Sequence, residues 1–125
     1  VAVYTSFSMA EDPAKAVKAA TPVVAYIVAG APHPLLESHG ISAQAAESIK
    51  NGIAQGKWKE AFGQVTPEMI EAFSICGTPG TCLERIEELG RIGMTQFVAG
   101  SPLGPKVRES IRTFGERIIP RLKHY

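Results

Sequence analysis

An α/β fold on a parallel sheet is predicted by three short β-type runs, each leading into a helical stretch, with a cap-then-proline signal after the first two. The runs are Val1 to Thr5, Phe73 to Gly77 and Thr95 to Ala99, where β-branched and aromatic residues suit a pleated, packed surface. Strands alternating with helices in this way pair in parallel through right-handed crossovers.

The first run opens as Val1-Ala2-Val3-Tyr4, a strand already under way, and a longer parent polypeptide is expected from it. Asp12-Pro13 then offers a side-chain acceptor followed by a proline whose missing N–H costs nothing at the first helical position. Ala16, Val17, Ala20, Val24, Ile27 and Val28 recur at spacings of three and four, giving one apolar helix face that runs toward Gly30. Pro22 interrupts that pattern, so a kink or a break is expected near Thr21.

Residues 31–72 read differently. Pro32, Pro34, Gly40, Gly52, Gly56 and Gly63 punctuate them, while Ser42 and Thr66 stand ahead of helical stretches as caps. A helical insertion without strands is predicted. After it, Thr78-Pro79 repeats the start signal, Leu83, Ile86 and Leu89 share one helix face, and Gly93 is placed as a left-handed C-cap. Gly100 to Gly104 reads as a tight loop. Pro105 to Arg117 reads as a helix with Val107, Ile111, Phe114 and Ile118 directed inward. The order is βα, helical insertion, βα, βα. Three such units make an incomplete half-sandwich or less than half of an eight-stranded barrel.

The chain has 125 residues, 45% of them hydrophobic and 20% charged, with a formal net charge of +1. That composition is ordinary for a globular protein and argues against a nucleic-acid binder. Lys106, Arg108, Arg112, Arg117, Arg121 and Lys123 make the last stretch basic, but Glu109 and Glu116 interrupt them at helical spacing. A solvated helix face is the preferred reading over an anion-binding patch. No apolar run reaches the roughly 18 residues of a membrane span. Cys76 and Cys82 form neither a CxxC pair nor a disulfide framework, and they fit a reducing cytoplasm.

Sites in parallel α/β folds lie at the carboxyl ends of strands, which directs attention to Thr5-Ser6-Phe7, Cys76-Gly77-Thr78 and Gly100-Ser101-Pro102. Small and hydroxyl-bearing residues there either receive a bound anion or heterocycle or simply make tight βα turns. No nucleophile elbow, HExxH or Walker loop is present. His33, His39 and His124 read as surface or cap residues rather than metal ligands. Cys76 reads as a small buried hydrophobe, and Trp58 as an anchor of the insertion. Tyr26 stands alone among aliphatic neighbours, as either a core tyrosine with a bonded hydroxyl or a ligand-facing ring.

Phe73 to Gly93, with Gly77-Thr78-Pro79, a helix and Gly93 before a strand, resembles the seventh βα unit of luciferase-like monooxygenases and deazaflavin-dependent reductases. Val23-Val24-Ala25-Tyr26-Ile27-Val28-Ala29-Gly30, Leu36-Glu37-Ser38-His39-Gly40-Ile41 and the run from Thr95 to Pro105 are more specific. Together they are similar to the methylene-tetrahydromethanopterin reductase family of methanogenic and related archaea. The resemblance covers nearly the whole chain. It implies the C-terminal part of a (β/α)8 TIM barrel that starts near the sixth strand, with residues 31–72 inserted and the N-terminal part of the same barrel as partner. It further implies a cytoplasmic homo-oligomer that passes hydride from reduced 8-hydroxy-5-deazaflavin coenzyme F(420) to methylene-tetrahydromethanopterin. The resemblance implies that Tyr26 packs against the deazaflavin and that the Gly100 to Gly104 loop lies by the pterin or the ring edge; with the strand-end residues Thr5, Ser6, Cys76 and Gly77 added to the cofactor set and Gly100, Ser101 and Pro102 taken as the substrate set, no catalytic side chain and no metal are expected. One departure is local: Gly80-Thr81 follows Pro79 where the family has acidic residues, so a capping-box carboxylate is lost. A stand-alone binding or interaction module, or another luciferase-like flavin or deazaflavin oxidoreductase, are the alternative readings.

Overall fold

Residues 2–122 are described by a computed structural model, and Val1, Lys123, His124 and Tyr125 lie outside the described residues. The chain divides into two units, one of residues 2–20 and 74–122 and the other of residues 21–73. Helix α1 (Pro13–Gly30) runs from the first into the second.

The first unit holds a parallel sheet of β1 (Ala2–Met9), β2 (Ser74–Gly77) and β3 (Gln96–Leu103). Its order is β2-β1-β3. Strands taken in chain order would put β2 in the middle; instead the four-residue β2 pairs only with Ser6 to Met9, while β3 pairs along β1 from Ala2 to Ser8. The long β1–β3 pair is therefore the backbone of the sheet, and β2 extends it at one end. Phe7, Met9 and Ile75 form a core with Cys82 and Ile86 of helix α6 (Pro79–Arg91) and with Ile118. The Phe7 ring meets Phe97 and Phe114 edge-on, with centroids 6.1 and 5.6 Å away. Leu83, Ile86 and Leu89 all pack on this core, as their spacing predicts.

Local signals fix the helix ends. Asp12 Oδ1 accepts from Ala14 N at 3.0 Å, and Thr78 Oγ1 accepts from Thr81 N at 3.3 Å. In α6 the Gly93 N–H bonds Gly90 O and the Met94 N–H bonds Leu89 O, with Gly93 at φ 113°. That is the two-bond cap a left-handed glycine permits. Thr78→Ala is expected to lower stability of the complete protein by about 1 kcal/mol, and Thr78→Ser by less. Equal chemical-denaturation midpoints for all three proteins would remove the cap.

Two expectations are corrected. Of the kink or break expected near Thr21, the break does not occur: α1 runs through Pro22 and is continuous over 18 residues. One lost backbone bond is tolerated because Ala16, Ala20, Val24 and Val28 bury the same face on both sides of it. The last helical stretch comprises α7 (Val107–Thr113), a π-helical turn (Phe114–Ile118) and α8 (Ile119–Leu122). In the π turn the Ile119 N–H bonds Phe114 O, five residues back. The wider turn takes an extra residue, so the inward position before it slips from Ile111 to Ser110. Ile111 is 58% and Val107 48% exposed, against the predicted burial, whereas Ile118 is fully buried.

The second unit is all helical. It holds the end of α1 together with α2 (His33–Ser38), α3 (Ala43–Ala54), α4 (Trp58–Gly63) and α5 (Pro67–Phe73). Ser42 Oγ caps α3 through Ala45 N, and Thr66 Oγ1 caps α5 through Met69 N. A Cβ on Gly52 would stand 2.9 Å from Ala61 Cβ, so α3 and α4 touch where the glycine leaves room.

Candidate functional site

Strand β1 carries two of the three buried polar side chains of the sheet, the third being Ser74 of β2. Ser6 and Ser8 are buried, and each hydroxyl has a partner. Ser6 Oγ donates to Ser101 O at 2.9 Å, and Ser8 Oγ donates to Ala16 O at 2.7 Å. The first bond clamps β1 to β3 where the register slips: Ser6 pairs with Gly100 but Phe7 pairs with Pro102, leaving Ser101 as the extra residue. Such a bulge bends a strand and re-aims its side chains at a sheet rim.

This geometry changes the placement of several candidate residues. Thr5 and Ser6 lie inside β1, which continues to Met9, rather than at its carboxyl end. Gly100, Ser101 and Pro102 belong to β3 instead of a loop, because the bulge absorbs the proline that cannot donate to a ladder. Gly100 is required by close approach within the sheet: a Cβ would stand 2.6 Å from Thr5 O and 3.0 Å from the Tyr4 ring. Cys76 and Gly77 do end β2, pairing with Ser8 and Met9, and Gly77 O accepts from Ala10 N at 3.0 Å. The sheet thus brings seven of the eight candidates onto three neighbouring strands.

Tyr26, the eighth, belongs to the helical unit. It is 52% exposed, so the buried core tyrosine is excluded. Its ring lies 6.1 Å from that of Trp58, and Trp58 lies 6.2 Å from Phe62, which gives a row of three aromatic rings on that unit. His33 and His39 are exposed; His33 Nε2 is 3.7 Å from Glu47 Oε1, and His39 meets the Phe73 ring edge-on at 5.5 Å.

Burial pushes the Cys76 thiol up to about 11, an effect the Ser8 hydroxyl partly offsets. Burial, with Cys76 nearby, pushes Cys82 up to about 12. Both values exceed the ordinary 9.0, so the neutral thiols' share of stability is complete below about pH 9 and is lost as pH rises toward 12. Neither thiol is a nucleophile at neutral pH. Slow alkylation of the folded protein by iodoacetamide at neutral pH, accelerating after denaturation, is expected; equal rates in both states would contradict the burial.

Sequence reasoning missed one concave feature. A cleft of about 410 Å³ lies in the first unit between the residues following β1, Pro79 and α7. None of the eight candidates lines it. Its charged residues are Glu11, Asp12, Lys15, Lys106, Glu109 and Arg112, and the last three follow at spacings of three from the N-cap of α7. That spacing was the available signal, read as a solvated face.

Among the described residues no helix is long and apolar enough to cross a membrane, and no group of His, Cys, Asp or Glu has a metal-binding arrangement. The chain is 47% identical over 123 residues to a 5,10-methylenetetrahydromethanopterin reductase of Methanopyrus kandleri, a match that takes in 98% of this chain and 35% of that protein. A reductase of the same name from Archaeoglobus fulgidus is 48% identical and one from Methanolobus tindarius 51%, covering 96% and 95% of the chain and 37% of each relative. The chain thus spans little more than a third of the length of these relatives. The solved structure of the coenzyme F(420) dependent tetrahydromethanopterin reductase from Methanopyrus kandleri superposes with a TM-score of 0.94, covering 98% of this chain and 35% of that one. The fold is accordingly part of a luciferase-like TIM barrel. The model of the luciferase-like monooxygenase family matches residues 1–96, which is most of the chain, and the chain belongs to that family.

Proposed function

We propose that this chain is the C-terminal part of a cytoplasmic, oligomeric methylene-tetrahydromethanopterin reductase. The enzyme transfers hydride from reduced coenzyme F(420) to the methylene-pterin and forms the methyl-pterin. The observation that carries this reading is the 47–51% identity, over nearly the whole chain, to three proteins of that name. The deazaflavin, when bound, supplies the hydride, and the protein's share is placement and exclusion of water.

The candidate residues fit these roles unequally. Tyr26 fits a flat heterocycle best, since its ring is half exposed and already held beside Trp58. Cys76, neutral and half-buried, offers a polarizable apolar wall, while Gly77 beside it is buried against the Thr81 side chain and shapes the turn rather than presenting open backbone. Thr5 and Ser6 act by position: the Ser6 hydroxyl is engaged by Ser101 O and therefore holds the bulge rather than a ligand. Through that bond Ser6 sets the path of Gly100, Ser101 and Pro102, which we assign to the pterin.

The test is an assay of the full-length protein with reduced coenzyme and methylene-pterin, following the absorbance of the oxidised deazaflavin. Folded protein that binds the coenzyme but never oxidises it in the presence of the pterin would sink the reading. Tyr26→Ala is expected to weaken coenzyme binding by about tenfold, and Tyr26→Phe to leave it nearly unchanged. Unchanged affinity in Tyr26→Ala would make Tyr26 a packing residue only.

A further inference from the structure

We propose that the cleft between the residues following β1 and helix α7 is a binding site for a small polyanion, a molecule bearing a phosphate group or paired carboxylates. The cleft's character follows from the charges that remain after internal pairing. Six ionisable side chains line the cleft, three of each sign, and the formal sum is zero. One of the three acids, however, is neutralised by a cation that does not line the cleft, and a second is held as a helix cap. Glu11 Oε1 takes Arg117 Nη1 at 2.7 Å, and Asp12 Oδ1 takes the Ala14 N–H at 3.0 Å. Among the described residues, Lys15, Lys106 and Arg112 make no ion pair and no side-chain hydrogen bond, and Asp12 and Glu109 are the two acids without a cationic partner that oppose them.

Three unpaired cations around one concavity repel one another, and an anion of two or more charges relieves that repulsion. The cations come from separate parts of the chain, Lys15 from α1, Lys106 from the N-cap of α7 and Arg112 from α7 itself. Arg112 brings a planar fork suited to two oxygens at once, and the lysines bring point charges. Thr113 adds a hydroxyl at the wall. A volume of about 410 Å³ admits a phosphate or a dicarboxylate with part of the molecule that carries it.

The floor is also rigid. Ser110, buried in α7, donates its hydroxyl to Met9 O at 3.2 Å, which ties the α7 wall to the end of β1. The exposed Glu11–Arg117 pair also reaches from the residues after β1 to the π-helical turn. The same pairing removes Glu11 from competition for the cations.

The experiment titrates the full-length protein with inorganic pyrophosphate and, separately, with succinate, by calorimetry at low and high salt. Saturable binding that weakens with salt is expected, tighter for pyrophosphate if the natural ligand carries phosphate and tighter for succinate if it carries carboxylates. Arg112→Gln and Lys15→Gln should each weaken binding by about threefold to tenfold, on the strength of one charge-assisted contact. Arg108→Gln, an exposed change on the same helix outside the cleft, should leave affinity unchanged. Equal thermal midpoints establish that the variants are folded. The proposal is overturned if neither anion binds saturably, or if Arg108→Gln weakens binding as much as Arg112→Gln.

Discussion

Phe7→Ala is expected to lower the stability of the complete protein by about 4 kcal/mol, the largest effect of any single truncation in the sheet unit. Phe7 is fully buried in the middle strand and meets both Phe97 of β3 and Phe114 of the π-helical turn edge-on. Truncation removes a large apolar group and both ring contacts, and the neighbours are fixed by the sheet and by a helix, so the cavity cannot close. Phe7→Leu should recover about half of the loss, because it refills most of the volume. Denaturant midpoints measure both. A loss below about 1 kcal/mol for Phe7→Ala would mean that the core relaxes around the cavity.

Residues 1–125 produced alone are expected to show no reductase turnover, while the full-length protein turns over. The physical reason lies in the sheet. Tyr4 and Val98 pair in register and are 72% and 41% exposed, an apolar sheet surface open to water. A parallel sheet of three strands also has two unpaired edges, here β2 and β3. Self-association or partial folding of the isolated chain is the accompanying expectation, read by sedimentation and circular dichroism. Turnover by a verified monomer of these 125 residues would contradict both the expectation and its reason.

What the amino-acid sequence by itself determined about this protein is local. The caps at Asp12, Ser42, Thr66 and Thr78, the left-handed stop at Gly93 and the buried face of α6 all depend on residues within a few positions of one another. Side-chain acceptors and helical period suffice to find them. Class and family were legible too, through motifs spread along the chain. Tertiary structure alone decided the rest. Strand order depends on which edges pair between residues as far apart as Ser6 and Ser74 or Ala2 and Gln96, and that pairing put β1, not β2, in the middle. One extra residue in the π-helical turn rotated the stripe of α7 away from the core, a phase change that no propensity marks. The bulge at Ser101 carried Gly100 to Leu103 into the strand. The cleft was hidden for the same reason: its cations come from α1 and from α7 with its N-cap, and a charge reveals its neighbours only when the backbone has brought them together.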